Sequence, residues 1–220
     1  MAIFKMFKRS ALELKSLRCI TVTAMLIALD LALKSVTINL TEDLKISFAF
    51  LALATIGMLF GPTVSLMAGV ITDLIGFFTA PQMGAFNPMY TIIEATGAML
   101  YGLFLYNLRY AKVDLRNIKN NTKDVLKQVI RIVLAKVSVV IVCNLIMTPL
   151  ANILTKFFTF GTWIVEPTLL AYPARLLKNA IQCPVDCLLL ILVLFPVMMA
   201  YRSVFKQSTP VKSDKTVSTH

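Results

Sequence analysis

The chain has 220 residues, of which 58% are hydrophobic, and its mean hydropathy is +0.78. That leaves too little polar sequence to cover a soluble globule. It carries 22 Lys and Arg against 11 Asp and Glu, a net charge of +11, but the bases collect beside apolar stretches, as in membrane-flanking loops, which excludes a nucleic-acid surface.

The chain opens on a basic segment, residues 1–16, with Lys5, Lys8, Arg9 and Lys15. The apolar run that follows lacks a small-residue cleavage site, so it reads as a first span and not as a signal peptide. Six stretches are apolar enough to cross a bilayer, which takes about 20 residues, or fewer for a short span. They are predicted at about 17–36, 46–60, 63–79, 89–108, 127–150 and 174–201. Gly61-Pro62 turns span 2 into span 3, with Pro early in the new helix. Pro81 closes span 3, and residues 80–88 form an uncharged loop of breakers. A second loop is predicted at 151–173, and 203–220 read as a polar tail. The fold expected is therefore all-α: a polytopic membrane domain over 17–202 with six transmembrane helices.

Fifteen of the 22 bases lie in residues 1–18, in residues 109–128 and in the tail from Tyr201. Basic loops mark the cytoplasmic side. Both termini are thus expected in the cytoplasm. The loops at about 37–45, 80–88 and 151–173, which hold only Lys45 and Lys156 as bases, are expected outside.

Charges inside spans are costly and mark function or pairing. Asp30 and Lys34 lie one turn apart in span 1 and can pair. Lys34 can instead face a ligand cavity. Asp73 and Glu94 read as partners for bases. Arg131 and Lys136, near the inner end of span 5, read as snorkelling to the interface. Arg175 and Lys178, three apart at the outer start of span 6 with Asn179 beside them, suit an anionic solute. Arg in particular offers a bidentate match to a carboxylate. Ala24, Ala28 and Ala32 form a stripe of small side chains in span 1, the kind that lets another helix approach closely in lipid. Gly57 and Gly61 make a weaker one.

Enzymatic motifs are missing. The one histidine, His220, is terminal, so no Ser/His/Asp set forms; there is no HExxH, no metal cluster and no P-loop. The four cysteines, Cys19, Cys143, Cys183 and Cys187, lie in apolar stretches and read as small packing residues. No cofactor is expected on this chain, and ATP-driven work would need another subunit.

Four pieces in order resemble a known family. They are Ala24-x-x-x-Ala28, extended by Ala32; Lys45-Ile46-Ser47-Phe48 through Gly57-Met58-Leu59-Phe60-Gly61-Pro62; Gly69-x-x-x-Asp73-x-x-Gly76-Phe77 followed by Gly84-Ala85-Phe86-Asn87-Pro88; and Tyr172-Pro173-Ala174-Arg175-Leu176-Leu177-Lys178-Asn179 with Pro184. Over about residues 20–200 the chain is similar to the substrate-binding S component of energy-coupling factor (ECF) vitamin transporters, most of all the folate branch. It departs from that branch at Lys34, at Met89 and in the run Asn144-Leu145-Ile146-Met147-Thr148.

The resemblance implies a vitamin pocket near the outer face and a small-residue stripe that docks on a membrane coupling subunit. That subunit is joined to two cytosolic ATPases, which consume the ATP. It further implies a bacterial plasma membrane and a loaded subunit that topples to release its vitamin inward. By position, the implied substrate site takes Lys34, Lys45, Phe48, Phe86, Asn87, Tyr90, Asn144, Arg175, Lys178 and Asn179, and the docking stripe takes Ala24, Ala28 and Ala32. Folate brings two carboxylates to the cations and a pterin ring to the aromatics. The alternatives are an S component for another vitamin and a stand-alone permease.

Overall fold

The computed structural model describes residues 2–35, 38–39, 45–79, 86–106, 122–160 and 172–206. Among them the chain is helical throughout, apart from short connections and one two-residue β pairing. Helix α1 is Ala2–Glu13 and α2 is Leu17–Ser35. Strands β1 (Ile38–Asn39) and β2 (Lys45–Ile46) pair antiparallel, with Ile38 opposite Ile46. Helices α3 (Phe50–Phe60), α4 (Pro62–Thr79) and α5 (Pro88–Leu105) follow. Then comes α6 (Thr122–Val139), which runs through a π-helical segment, Val140–Met147, into α7 (Thr148–Phe160). Helix α8 is Tyr172–Lys206.

Helix α3 is the centre. It is apolar all round, and every residue from Ala52 to Phe60 is buried, as expected of a helix surrounded by others. Its neighbours are α2, α4, α5 and α8. Two positions show why small residues recur here. A Cβ on Gly102 would lie 2.5 Å from the Cα of Pro62, and one on Gly57 would lie 2.7 Å from the backbone N of Gly102. So α3, α4 and α5 touch backbone to backbone. Bilayers offer no hydrophobic driving force between helices, and such close van der Waals approach replaces it. Gly57 thus serves a contact inside this chain, while Gly61 serves the turn at φ 88°, a conformation that glycine adopts without steric cost.

Three helical stretches, Pro62–Thr79, Val125–Phe158 and Arg175–Tyr201, are long and apolar enough to cross a membrane. A fourth candidate joins Phe4–Glu13 to Leu17–Ser35 across a 91° bend, and Phe50–Phe60 is a shorter apolar helix. At 1.5 Å per residue α8 is about 52 Å long, well beyond a hydrocarbon core of about 30 Å. Arg175 and Lys178 lie in its first turns.

The predicted spans 17–36 and 63–79 match α2 and α4 closely. Span 2 begins later than predicted, at Phe50, because Lys45–Ile46 is taken into the β pairing. The described part of span 4 ends at Tyr106. Two expectations are corrected. Residues 151–160, expected in an outer loop, are helical. Pro149 lies inside this helix, although proline cannot donate to the carbonyl four residues back. Here the π segment precedes it, and the Oγ1 of Thr148 donates to the carbonyl of Cys143 at 2.8 Å, so the helix continues. The second correction concerns Lys136. It does not snorkel. Its side chain is 9% exposed and pairs at 2.8 Å with Asp186 of α8, itself 3% exposed. The Lys136 ammonium also lies 4.2 Å from the centre of the Phe50 ring. Two charges in a low-dielectric interior are tolerated only when they neutralise each other.

The basic N-terminal segment has a structural role too. The Oγ of Ser10 donates to the carbonyl of Phe60 at 2.7 Å and accepts from the amides of Thr63 and Val64 at 3.1 and 3.3 Å. It acts as an N-cap for α4 supplied from elsewhere in the chain. Thr63 donates to the carbonyl of Phe7, and Tyr106 donates to Glu13. Helix α1 is thus clamped under the α3–α4 turn.

Candidate functional site

The polar side chains of the bundle collect where α5, α7 and α8 begin or end, at the end opposite the α3–α4 turn. Asn87 sits at the start of α5 because it caps it. Its Oδ1 accepts from the amide of Met89 at 3.1 Å, and Pro88 occupies the first helical position, where its missing N–H costs nothing. The other half of the same amide donates to Thr155 of α7 at 2.6 Å. One turn on, Tyr90 donates to Asn152 of α7 at 2.5 Å. Two bonds therefore zip α5 to α7.

A third link joins the π segment to α8. The amide of Asn144 donates to Asn179 at 2.8 Å, and Asn179 donates to the carbonyl of Arg175 at 2.9 Å. A π turn rotates its residues relative to an α-helix and recurs at functional sites; here it carries Asn144. Tyr172 donates to the carbonyl of Leu145 at 3.2 Å. That carbonyl lies four residues before Pro149, whose ring nitrogen cannot donate to it.

Lys34 lies between two carboxylates, 3.2 Å from Asp30 on its own helix and 2.9 Å from Glu94 on α5. The pairing expected within span 1 is present and extends to Glu94. Asp73 instead accepts from the hydroxyl of Thr91 at 2.6 Å. Phe86 is exposed and stands edge-on to Phe77, with ring centres 5.1 Å apart. Phe48 is half-buried, as are Arg175 and Lys178. For Lys45 only the backbone is described, in β2, and Trp163 and the rest of 161–171 lie outside the described residues.

The structure thus brings Asn87 and Tyr90 together across α7, and Asn144 together with Asn179 and the Arg175 backbone. It ties Lys34 to Glu94 of α5. Sequence reasoning missed Asn152, Thr155 and Tyr172 as members of this cluster. The first two fell in the segment expected as loop. Repeat polar positions at Asn152 and Thr155, three apart on one helix face, are the signal that finds them once the segment is taken as helix.

Ala24, Ala28 and Ala32 are all exposed on α2, beside Met25 and Leu29. The stripe points away from the bundle. A separate cavity of about 540 Å³, lined by apolar side chains of α2, α3 and α8 such as Leu26, Leu51 and Val197, lies apart from the polar cluster. Among the described residues no group of His, Cys, Asp and Glu is arranged to hold a metal ion. Cys19, Cys143 and Cys187 are buried, as packing residues are.

Comparison with known proteins gives the family. A family model for the ECF-type riboflavin transporter, S component, matches residues 14–199. The folate transporter FolT of Clostridium novyi (strain NT) is 26% identical over 178 residues, covering 80% of this chain and 88% of that protein. FolT of Leuconostoc mesenteroides subsp. mesenteroides is 36% identical over 80 residues, covering 36% of this chain and 42% of its own length. A crystal structure of FolT bound with folic acid superposes with a TM-score of 0.59 at 26% identity, covering 80% of this chain and 91% of that one. The chain belongs to the ECF-type riboflavin transporter S-component family, and is a multi-pass membrane component of a transporter and not an enzyme.

Proposed function

We propose that this chain binds folate at the polar end of the bundle and delivers it across a bacterial plasma membrane. The observation that carries the reading is the coincidence of two facts. The relatives covering most of the chain are folate transporters, and the polar end holds Arg175 and Lys178 one turn apart at the start of α8. A folate dianion would be prohibitively costly to bury unpaired. Arg175 and Lys178 would meet its carboxylates. Asn87 and Tyr90 would exchange their bonds to Thr155 and Asn152, and Asn144 and Asn179 their bond to each other, for the pterin edge, with Phe48 and Phe86 against the ring and Lys45 from the β pairing beside it. Lys34 would join only by giving up Glu94 for a substrate carboxylate.

Six spans with both termini in the cytoplasm fit the distribution of bases. In that frame the exposed stripe Ala24, Ala28 and Ala32 receives a transmembrane coupling subunit, which two ATPases energise. The chain itself holds no nucleotide motif. No cofactor is required for binding.

Riboflavin is the second reading, because the family model that matches residues 14–199 carries that vitamin in its description. Riboflavin is neutral and gives Arg175 and Lys178 no carboxylate. A thermal-shift series on the purified chain separates the two. Ligand at 100 times its dissociation constant stabilises a protein by about 2.7 kcal/mol. Folate is expected to raise the midpoint and riboflavin to leave it in place. The reverse result would transfer the site to riboflavin.

A further inference from the structure

Helix α1 is amphipathic in an unusual sense, because its docked face is satisfied and its outward face is both basic and apolar. Phe7, Ser10 and Glu13 face the bundle through the bonds to Thr63, Phe60 and Tyr106. Those bonds fix the rotation of the helix. The opposite face carries Lys5, Lys8 and Arg9, with Phe4 79% exposed and Leu12 57% exposed. The three-residue turn Leu14–Ser16 then leads into α2 across a 91° bend, and Leu17, at the first residue of α2, is 81% exposed.

With α2 taken as the first span, as in the proposed topology, a helix at right angles to it lies along the membrane surface. The alternative, that α1 and α2 form one broken span, would put Lys5, Lys8 and Arg9 into hydrocarbon at a cost of about 2.5–3.5 kcal/mol each. A helix at headgroup depth instead meets its chemical complement. Phe and Leu reach the acyl boundary, while Lys and Arg attract anionic headgroups.

We infer that α1 is an interfacial anchor for an anionic phospholipid surface, with Lys5, Lys8 and Arg9 on the headgroups and Phe4 in the acyl boundary. The inference rests on the membrane placement of α2 and is independent of which vitamin the chain binds. Anionic lipid then acts as a ligand of the folded subunit, through a helix that also caps α4.

The test uses the full chain in nanodiscs. The single tryptophan, Trp163, is changed to Phe and Phe4 to Trp, so that one indole reports on α1. Quenching is compared between phosphatidylcholine nanodiscs doped with acyl-brominated phosphatidylglycerol and with acyl-brominated phosphatidylcholine. Quenching is expected with both lipids, several-fold stronger with the anionic one. That preference is expected to vanish in the Lys5→Glu/Lys8→Glu variant, whose folding is checked by its unchanged melting midpoint. Water-exposed emission with neither lipid quenching, which would leave the basic face to an acidic protein partner, overturns the inference. So does equal quenching by the two lipids.

Discussion

Lys136 of α6 and Asp186 of α8 meet 2.8 Å apart inside the bundle, with the Lys136 ammonium 4.2 Å from the centre of the Phe50 ring. Neither charge has water to fall back on. Removing one partner strands the other, a loss of about 3–5 kcal/mol. Asp186→Ala is expected to lower stability by that order, measured as the unfolding midpoint in detergent. The double variant Lys136→Met/Asp186→Leu is expected to recover most of it, since paired apolar replacement removes both desolvation costs. A double variant no better than Asp186→Ala would show that the pair is not the source of the loss.

Ser10 is the second point of leverage. Its hydroxyl serves one carbonyl and two amides at the α3–α4 turn. Ser10→Ala removes the cap and orphans a buried carbonyl, at about 2 kcal/mol together. Limited trypsin digestion reports the same change, because cleavage at Lys8 and Arg9 should accelerate as α1 detaches. Unchanged digestion would mean that α1 is held by packing alone.

The stripe Ala24, Ala28 and Ala32 gives a prediction with two arms. These side chains are exposed, so Ala24→Leu/Ala28→Leu is expected to leave the melting midpoint and vitamin binding of the isolated chain within error. In cells that supply the coupling subunit and ATPases, uptake is expected to collapse, because a bulky stripe blocks close helix approach. Normal uptake by the variant would favour a stand-alone permease.

The cations at the start of α8 can be weighed directly. Arg175→Ala is expected to weaken folate binding by about 2–3 kcal/mol, the scale of a lost charge-assisted hydrogen bond. Arg175→Lys should recover only part, because an ammonium lacks the forked geometry. Equal affinity for wild type and Arg175→Ala would remove Arg175 from the site.

Much of this fold is legible in the sequence because bilayers impose a simple rule: backbone polar groups must be satisfied internally, so apolar runs become helices. That rule locates α2, α4 and the body of α8. It fails where one residue has two readings. Span 5 is expected to end near 150, yet the helix runs on through Pro149 after the π segment, and ten residues of α7 are lost to a predicted loop. With them go Asn152 and Thr155, the partners of Tyr90 and Asn87. Lys136 reads as a snorkelling base because Asp186 lies 50 residues away, and only the packing of α6 on α8 brings them together. The same holds for Ser10 and the α4 N-terminus. Residue identities point to the polar end of the bundle, but the pairings within it are tertiary facts.

The measurement that bears most directly on function is a calorimetric titration of folate into the purified chain in detergent, without ATP or partner subunits. Stoichiometric binding, lost or much weakened in Arg175→Ala, is the expected result. A flat titration from protein shown to be folded, with riboflavin binding in the same cell, would contradict the folate reading and leave the family assignment intact.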